Sequence, residues 1–375
     1  MKKITILLSH LGYGGISNSV ITLANSLVDY YDVEILSVYR LYSEPVYELN
    51  EKVSIKYISN SKPNKMEMKH YFKNRNFKMF FKGISPQFKG AYARRIKTTN
   101  TLKKLDCDVI ISTNVMYDNL VSKYVPSNIR KIAWEHQHHN NNKKYVNRLL
   151  SSVKNMDYMV CVSEELKDYY KEYLDKKVLF IPNSLDKIPN RLSKLDSTNI
   201  VTVGKLIKEK GYDDLLRLFK KIHSKHSDWK LNIIGDGLEK TELLSLAQDL
   251  KLGDSVIFHG YQDKEYINDI MYSSSIFVMT SLSEGFGLSL IEAMSYGIPC
   301  VSYTTAQGAN EIIVNGINGY LIDNRNEDEM VNKIEELIND EKLRIKLGKE
   351  ARKTAKEYSK DINVSLWKKL INKRK

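Results

Sequence analysis

Cysteine, proline and long apolar runs are all scarce in this 375-residue sequence. The three cysteines, Cys107, Cys161 and Cys300, are widely spaced and odd in number, which argues against a disulfide framework or a cysteine zinc site and predicts a reducing compartment. No uncharged apolar stretch approaches the roughly 20 residues that a membrane span needs. The apolar run Ile4–Leu8 is too short for a signal peptide and predicts a buried first strand. These shortages argue against a secreted, disulfide-rich or membrane-spanning protein.

Acidic residues are scarce in one part of the chain. Lys and Arg total 58 against 45 Asp and Glu, which gives a formal charge of +13, and residues 61–104 hold thirteen basic side chains and the single acid Glu67. Nearly all of the surplus charge therefore lies in this segment, where phenylalanine and tyrosine are interleaved with the basic residues. Such an excess is typical of proteins that bind nucleic acid, anionic lipid or phosphorylated small molecules.

The lysines of this segment recur at helical spacing, in the sets Lys65/Lys69/Lys73 and Lys78/Lys82, which places each set on one helix face. Gly83, Pro86 and Gly90 are expected to interrupt the helix before Ala91–Leu105 resumes it. Three interpretations stay open: solvated helices with ordinary apolar faces, an interfacial element against an anionic membrane, and a nucleic-acid surface. Because no DNA- or RNA-binding motif is present, nucleic acid is the least favoured partner.

Short β-branched runs alternate with amphipathic stretches along the whole chain, which predicts parallel sheets covered by helices on both faces. The runs form two series, separated by a polar, proline-containing break at Pro182–Ser197. The chain is therefore expected to fold into two doubly wound α/β domains with a ligand site in the cleft between them. The expected strands are Ile4–Leu8, Val33–Val38, Val109–Ser112, Lys131–Trp134, Tyr158–Val162, Val178–Ile181, Ile200–Val203, Leu231–Ile234, Val256–Phe258, Ile276–Met279, Cys300–Tyr303 and Gly319–Ile322.

The stretch Ser283–Met294 joins an expected strand to an expected helix and carries the most informative motif. Gly285 and Gly287 allow the backbone to come close to a ligand, and the helix N-terminus that follows presents free N–H groups and a positive dipole end to a phosphate. Glu284 and Glu292, with seven residues between them, are expected to reach the same pocket, where carboxylates accept hydrogen bonds from sugar hydroxyls.

The stretch Glu284–Glu292 resembles the E-x7-E signature of retaining glycosyltransferases of the family 4 type, which have the GT-B fold. Other motifs of that family follow in its order across the second half, and the first half matches more loosely at Gly14-Gly15 and Glu135-His136. The matching segments of the second half are Ile181–Ser184, Val203–Leu206, Lys210–Gly211, Ile234–Gly237, Phe258–Tyr261, Ala293–Ser302 and Gly316–Gly319.

The resemblance implies two facing Rossmann-like domains with a deep cleft between them. Residues 1–182 would bind the acceptor, residues 183–360 would bind the nucleotide-sugar, and the helix of residues 361–375 would pack back on the N-terminal domain. The Asp106-Cys107-Asp108 triplet imitates the metal motif of another glycosyltransferase class, but it opens a strand and is interpreted as structural.

In the family, the first glutamate contacts the donor sugar and the second contacts the ribose, which implies these roles for Glu284 and Glu292. Lys205, where the family usually has arginine, and Lys210 would stabilise the leaving diphosphate without a metal or other cofactor. The nucleotide-sugar is thus a substrate. The remaining donor-site residues implied by the resemblance are Gly14, Gly15, Gly204, Tyr261, Gln262, Gly285, Phe286, Gly287 and Leu288.

The histidine cluster after the fourth expected strand contains one residue that matches the family. His136 is implied to lie beside the donor sugar, with Glu135 as its neighbour, whereas His138 and His139 are expected to line the acceptor mouth or face solvent. A metal site is disfavoured because the sequence shows no supporting carboxylates at ligand spacing. Buried structural histidines stay possible.

The resemblance implies an enzyme that moves a hexose-type sugar, from a UDP-sugar donor by family frequency, to a hydroxyl of a lipid-linked saccharide in surface polysaccharide synthesis. Residues 61–104 would hold it at an anionic membrane, on the cytoplasmic face of the cell membrane. Three alternatives remain: another GT-B enzyme such as a nucleotide-sugar epimerase or a phosphorylase, transfer to a soluble or protein acceptor, and a basic binding protein with a decayed site. The epimerase is disfavoured by the paired glutamates, and the phosphorylase by the absence of a pyridoxal-phosphate lysine context.

Overall fold

The computed structural model describes residues 1–61, 68, 72, 75–174 and 177–373. Residue contacts divide the chain into an N-terminal unit, Met1–Ser184 with Lys360–Lys375, and a C-terminal unit, Leu185–Ser359. The boundaries expected from the sequence, after residues 182 and 360, lie within two residues of these. Lys65, Lys69 and Lys73, for which a common helix face was expected, lie outside the described residues.

The N-terminal unit contains a seven-stranded parallel sheet with strand order β3-β2-β1-β4-β5-β6-β7. Its strands are β1 Lys3–Leu8, β2 Asp32–Tyr39, β3 Ser54–Ser59, β4 Val109–Ser112, β5 Arg130–Glu135, β6 Tyr158–Cys161 and β7 Val178–Phe180. Its helices are α1 Gly15–Leu27, α2 Phe77–Lys82, α3 Ile84–Tyr92, α4 Thr98–Lys103, α5 Val115–Tyr124, α6 Lys143–Val153 and α7 Glu164–Leu174, with the C-terminal helix Lys360–Asn372.

Burial of whole strands, which the apolar runs predict, holds this unit together. All six residues of β5 are buried, and Trp134 of that strand packs edge-on against Trp367 of the C-terminal helix, with ring centroids 5.0 Å apart. Arg130 of β5 fixes the end of that helix, because its Nη1 donates to the carbonyl oxygens of Leu370 at 3.2 Å and Ile371 at 2.6 Å. The C-terminal helix is thus part of the N-terminal unit.

Two local expectations for the N-terminal unit were wrong. The strand β3 was not expected, because Ser54–Ser59 is a half-exposed edge strand rather than an apolar run. Pro86 and Gly90 do not interrupt the helical segment: Pro86 occupies the first turn of α3, where a missing N–H removes no helical hydrogen bond. A π-helical turn, Ala93–Lys97, then connects α3 to α4.

The C-terminal unit contains a six-stranded parallel sheet with strand order β10-β9-β8-β11-β12-β13. Its strands are β8 Asn199–Val203, β9 Lys230–Ile234, β10 Val256–Gly260, β11 Ile276–Met279, β12 Cys300–Tyr303 and β13 Gly319–Ile322. Its helices are α8 Tyr212–Lys225, α9 Lys240–Asp249, α10 Lys264–Tyr272, α11 Leu288–Ser295, α12 Ala309–Ile312, α13 Glu327–Asn339 and α14 Glu341–Glu357, with short 3₁₀ turns at Lys208–Lys210, Gly253–Ser255 and Asp323–Arg325.

Each sheet has a point where the strand order reverses, between β1 and β4 in the first and between β8 and β11 in the second. In open parallel sheets, ligands bind outside the carboxyl ends of the strands at such a point. Gly14 ends the loop after β1 and Gly15 begins α1, and the loops after β8 and β11 contain Lys205 and Glu284. Among the described residues, no helix is long and apolar enough to cross a membrane.

Candidate functional site

The loop between β11 and α11 is shaped by two glycines. Gly287, at the N-terminus of α11, has a φ of 96°, in the left-handed region that favours glycine. Gly308 lies against the same loop: its N–H donates to the Glu284 carbonyl at 2.9 Å, and a Cβ on Gly308 would lie 2.2 Å from the Phe286 carbonyl oxygen. The backbone from Glu284 to Gly287 is therefore held by direct contact, which fixes the backbone position from which the Glu284 side chain extends.

Lys210 and Glu284 form an ion pair in which both side chains are about four-fifths buried, with exposures of 23% and 20%. Backbone contacts hold the two loops together, since the Leu282 N–H donates to the Glu209 carbonyl at 2.8 Å. The Thr280 hydroxyl also donates to the Gly211 carbonyl at 2.8 Å. The structure thus brings together two predicted site residues that are 74 positions apart in the chain.

Lys205 lies close to this ion pair, and its ammonium group faces a neighbouring positive charge rather than a carboxylate. Burial and the neighbouring Lys210 charge both lower the pKa of its ammonium group. Among the residues that the structure describes, Lys205 forms no ion pair with a carboxylate. A partly buried cation without a counter-charge is costly, and an anionic ligand would remove that cost.

The N-terminus of α11 and the second glutamate complete the predicted motif. The helix begins after Gly287 without a side-chain cap and without an acidic residue in its first turn, so its first N–H groups face no competing carboxylate from within the helix. Glu292 lies in the second turn, where its charge adds to the effect of burial in raising the pKa of Tyr296.

The nucleobase residues expected from the sequence follow strand β10. Tyr261 is 42% exposed, and the Gln262 amide donates to the His259 carbonyl at 2.6 Å. Gly204, after β8, donates its N–H to the Ile234 carbonyl of β9 at 3.0 Å. These three residues therefore lie at the same carboxyl edge of the sheet as Lys205 and Glu284.

Arg325 is a structural residue of this site that the sequence analysis missed. Its guanidinium donates to the Thr280 carbonyl at 3.1 Å, to the Ser281 carbonyl at 3.3 Å and to the Thr305 hydroxyl at 2.8 Å. It also pairs with Asp214 and lies over the Tyr303 ring, 4.3 Å from its centroid. One side chain therefore connects the loop that leads to Glu284 with the loop after β12 and the start of α8.

The N-terminal unit carries the other predicted residues at the carboxyl edge of its own sheet. The Gly14 N–H donates to the Tyr47 hydroxyl at 3.1 Å, and α1 begins at Gly15 without a side-chain cap. His136 follows β5, and burial lowers the pKa of its imidazole to about 3, so the ring is neutral. Within the described residues its buried Nε2 has no hydrogen-bond partner. The predicted role of His136 beside a donor sugar stays a prediction.

Glu135, which precedes His136, is the most perturbed carboxyl group beside a predicted site residue. Burial raises its pKa to about 7, against the effect of a hydrogen bond from the Gln137 N–H at 2.7 Å and one from the Tyr145 hydroxyl at 2.9 Å. A carboxyl with that pKa is partly protonated near neutral pH. It serves as a hydrogen-bond acceptor that orders the residues after β5.

His138 and His139 meet a carboxylate that sequence spacing could not reveal, Glu165 of α7. The His138 Nε2 lies 3.2 Å from a Glu165 carboxylate oxygen, and the His138 Nδ1 lies 2.9 Å from the Asn140 Oδ1 and 3.0 Å from the Asn140 N. The His139 Nδ1 accepts the Asn141 N–H at 3.0 Å. Burial lowers the pKa of the His138 imidazole, but the hydrogen bonds to Glu165 and Asn140 outweigh it, so that the pKa is raised. The structure therefore joins His138 to the Glu165 carboxylate as a hydrogen-bonded pair.

Comparison with known proteins agrees with this arrangement of folds and motifs. Residues 13–187 match the family described as Glycosyltransferase Family 4, and residues 184–354 match Glycosyl transferases group 1. The two matches together span nearly the whole chain. The protein is a glycosyltransferase of the GT-B fold. More particularly, its first half belongs to Glycosyltransferase Family 4 and its second half to Glycosyl transferases group 1, which confirms the glycosyltransferase family and the fold expected from the sequence, whereas the retaining mechanism stays a prediction.

Among similar proteins, an uncharacterized glycosyltransferase of Haemophilus influenzae is 29% identical, over 99% of this chain and 100% of that protein. The amylovoran biosynthesis glycosyltransferase AmsD of Erwinia amylovora is 26% identical, over 99% of this chain and 100% of that protein. A crystal structure of an S. aureus TarM variant, in complex with fondaparinux, alpha-GlcNAc-glycerol and UDP, has a TM-score of 0.80 with 17% identity, over 100% of both chains. This last similarity establishes the fold.

Proposed function

We propose that this glycosyltransferase moves a hexose-type sugar from a UDP-sugar to a hydroxyl group of a lipid-linked saccharide in bacterial surface polysaccharide synthesis, with retention at the anomeric carbon. The observation that carries the donor side of the proposal is the Lys210–Glu284 ion pair at the strand-order reversal of the second sheet, beside Lys205, which has no ion-pair partner among the described residues. This arrangement supplies cations for a diphosphate and a carboxylate for sugar hydroxyls at one place.

Donor binding would redistribute the charges of this site. An incoming diphosphate brings the anion that Lys205 lacks and competes with Glu284 for Lys210. Glu284, once released from Lys210, can accept hydrogen bonds from the sugar, while the free N–H groups at the start of α11 face the phosphates. Without a ligand, Glu284 neutralises the charge of Lys210. With the donor bound, the diphosphate would neutralise the charges of Lys205 and Lys210 instead.

The proposed reaction needs no protein nucleophile. The bond from the anomeric carbon to the diphosphate oxygen breaks, and a bond to the acceptor oxygen forms on the same face of the sugar. The acceptor proton passes to the departing diphosphate, whose growing charge Lys205 and Lys210 stabilise. Catalysis then depends on positioning and on fixed charge, which the hydrogen bonds of Arg325 and Gly308 maintain in the loop before α11. On this account no resident metal or other cofactor is required.

Two similarities support the substrate classes. The TarM variant of the same fold was crystallised with UDP and alpha-GlcNAc-glycerol, and AmsD is named for amylovoran biosynthesis. The first favours a uridine nucleotide donor, and the second favours an acceptor in the biosynthesis of a bacterial polysaccharide.

A thermal-shift panel of nucleoside diphosphates and their sugars tests the donor proposal, because a ligand bound to the native state raises the Tm. We expect UDP and one UDP-hexose to give the largest shifts. The Lys205→Met variant should lose most of that shift, whereas Lys208→Met, which removes an exposed lysine paired with Asp213, should keep it. Equal shifts for all bases, or equal losses in both variants, would contradict a built diphosphate site.

The membrane part of the proposal depends on the helical segment α2–α4. Five aromatic side chains between residues 72 and 92 are more than half exposed, and residues 75–104 include nine basic residues and no acid. Aromatic groups at the acyl boundary and cations against anionic headgroups would both stabilise a bound state, by about 1 kcal/mol for each basic residue near the surface. The exposed aromatic residues are Phe72, Phe77, Phe81, Phe88 and Tyr92.

Vesicle flotation tests this surface with a matched charge change. The triple variant Lys78→Glu, Lys82→Glu, Lys89→Glu should lose binding to phosphatidylglycerol vesicles, because the proposed location at the inner face of the cell membrane depends on these cations meeting anionic headgroups. The control Lys342→Glu, Lys346→Glu, Lys349→Glu changes the charge equally on α14 and should still bind. Binding that survives the first triple variant would overturn the membrane proposal and leave the donor site untouched.

A further inference from the structure

The loop between β5 and α6 is closed by its own hydrogen bonds. The Asn142 N–H donates to the His139 carbonyl at 2.8 Å, and the Asn142 side chain caps α6 by accepting the Tyr145 N–H at 3.1 Å. Asparagine at this position satisfies an N–H group that the first turn of a helix leaves free. The loop therefore fixes where α6 begins, and with it the position of Tyr145 in the first turn of that helix.

The Tyr145 side chain reaches back across this loop to the end of β5. Its hydroxyl donates to the Glu135 Oε2 at 2.9 Å, and the Gln137 N–H donates to the Oε1 of the same carboxyl group at 2.7 Å. Each oxygen of the Glu135 side chain thus accepts a hydrogen bond, one from its own turn and one from α6. Glu135 is 5% exposed and forms no ion pair within the described residues, so hydrogen bonds from these two donors offset the cost of burying it.

His136 lies between Glu135, which accepts the two hydrogen bonds, and Gln137, which donates one of them. The backbone on both sides of His136 is therefore held through one carboxyl group. The His136 ring packs on the ring of Trp134, with centroids 4.4 Å apart. Its buried Nε2 has no hydrogen-bond partner in the part of the chain that the structure describes. Glu135 and Tyr145 thus fix the backbone from which this ring extends.

We propose that Tyr145 is a positioning residue for sugar transfer, which acts through Glu135 on His136. This role rests on the proposed place of His136 beside the donor sugar, where a sugar hydroxyl would supply a hydrogen-bond partner for the buried Nε2. A displacement of about 1 Å in a group that positions a substrate can lower a rate by about 100-fold. The Tyr145 hydroxyl therefore affects the rate without touching either substrate.

The hydrogen bonds of Glu135, rather than its charge, carry the positioning. Burial raises the pKa of this carboxyl group to about 7, so both protonation states are present near neutral pH. Glutamine has the same shape: its carbonyl oxygen can accept the Gln137 N–H, and its NH2 group can donate to the Tyr145 hydroxyl. Glu135→Gln should therefore keep the arrangement, whereas Glu135→Leu removes it.

Transfer kinetics of Tyr145→Phe, with the UDP-sugar that gives the largest thermal shift, test the proposal. The change removes only the hydroxyl, and kcat should fall by about tenfold or more at a temperature where the variant is fully folded. The Tm shift produced by UDP should stay that of the wild type, because no residue of the proposed nucleotide site is changed. A lower Tm with an unchanged kcat would show a structural role alone and would overturn the proposal.

The matched control is Tyr170→Phe. It removes a buried hydroxyl of α7 that has no hydrogen-bond partner within the described residues. Because no hydrogen bond is lost, kcat should stay within about twofold of the wild type. Equal losses of kcat in Tyr145→Phe and Tyr170→Phe would also overturn the proposal, since the hydrogen bond to Glu135 would then have no special part in the rate.

A double variant shows whether Tyr145 acts through Glu135. Glu135→Leu should lower kcat at least as much as Tyr145→Phe, and Glu135→Gln should recover most of that loss. The double variant Tyr145→Phe, Glu135→Leu should be no slower than Glu135→Leu alone, because two residues that act through one contact have non-additive effects. Losses that multiply in the double variant would contradict an action through Glu135.

Histidine NMR tests the same coupling without a substrate. The ring nitrogen shifts of His136, assigned by comparison with His136→Ala, should change in Tyr145→Phe and stay the same in Tyr170→Phe. Unchanged His136 signals in Tyr145→Phe would overturn the proposal even if sugar transfer is confirmed. If the wild type transferred no sugar while these signals still depended on Tyr145, the proposed function would fail and the coupling of Tyr145 to His136 would stand.

Discussion

Arg325 connects three segments around the candidate donor site. Removing its side chain should therefore destabilise the fold around the site, although Arg325 takes no part in the proposed reaction. The Arg325→Met change deletes hydrogen bonds to the Thr280 and Ser281 carbonyls and to the Thr305 hydroxyl. Charge-assisted hydrogen bonds contribute roughly 1.5–3 kcal/mol each. The gap left by the side chain, which is 21% exposed, admits some water to the freed acceptors. We therefore expect a net loss of about 2–4 kcal/mol in the free energy of unfolding.

The ion pair of Arg325 with Asp214 should contribute much less than these hydrogen bonds. The Asp214 side chain is 41% exposed, and ion pairs at that degree of exposure are worth about 1 kcal/mol or less. Asp214→Asn is therefore the matched control, because it removes the charge pair and keeps the bonds to the loop. For a unit of this size, Arg325→Met should lower the Tm by about 10 °C, and Asp214→Asn by about 3 °C or less.

Thermal denaturation and donor kinetics together measure this prediction. Because the loop that carries Glu284 loses its support, KM for the donor should rise and kcat should fall in Arg325→Met, and Arg325→Lys should recover only part of both. A variant with the Tm and donor kinetics of the wild type would refute the reasoning. A Tm loss without any change in donor kinetics would show that Arg325 stabilises the unit but does not position the site.

Two further predictions concern packing and pH. Gly308→Ala should lower the free energy of unfolding by several kcal/mol in a denaturant titration, because its Cβ would lie 2.2 Å from the Phe286 carbonyl oxygen. The control Gly253→Ala, which has open space around the new Cβ and a φ of 49°, should lower it by about 1–2 kcal/mol. Equal losses in the two variants would contradict the close contact at Gly308. The folded-state pKa of Glu135 is raised from 4.5 to about 7, so its contribution to stability is full below pH 4.5 and is lost as the pH rises to about 7. Glu135→Gln should abolish that decline in urea titrations between pH 5 and 8, and parallel profiles for both proteins would count against it.

The sequence predicted strands more successfully than it predicted supporting contacts. Apolar β-branched runs located twelve of the thirteen strands found in the described residues to within two residues, because a strand buried on both faces leaves a continuous apolar signature. The edge strand Ser54–Ser59 has no such signature. Pro86 was taken as a helix breaker because its place in a first turn depends on where α3 begins, which local sequence does not determine.

The residues of the candidate site also differ in how far the sequence predicts them. Glu284 and Gly287 were singled out because a strand-to-helix loop with glycines has a motif, and Lys210 was singled out by the resemblance to the family. Arg325 has none: its role comes from bonds to residues 20 to 111 positions away, which only the folded chain brings together. Glu165, which meets His138, was missed for the same reason.

Glu284 and Lys210 form part of the proposed donor site. The most direct test is the initial rate of sugar transfer by Glu284→Gln, with the UDP-sugar that gives the largest thermal shift. That change keeps the shape of the side chain and removes the charge that pairs with Lys210. We expect a lower Tm, because Lys210 loses its counter-charge, and a kcat/KM reduced by about 100-fold at a temperature where the variant is fully folded. The control Glu209→Gln, which changes an exposed glutamate one residue before Lys210, should keep the wild-type rate. Full transfer activity in Glu284→Gln would show that Glu284 does not belong to the donor site.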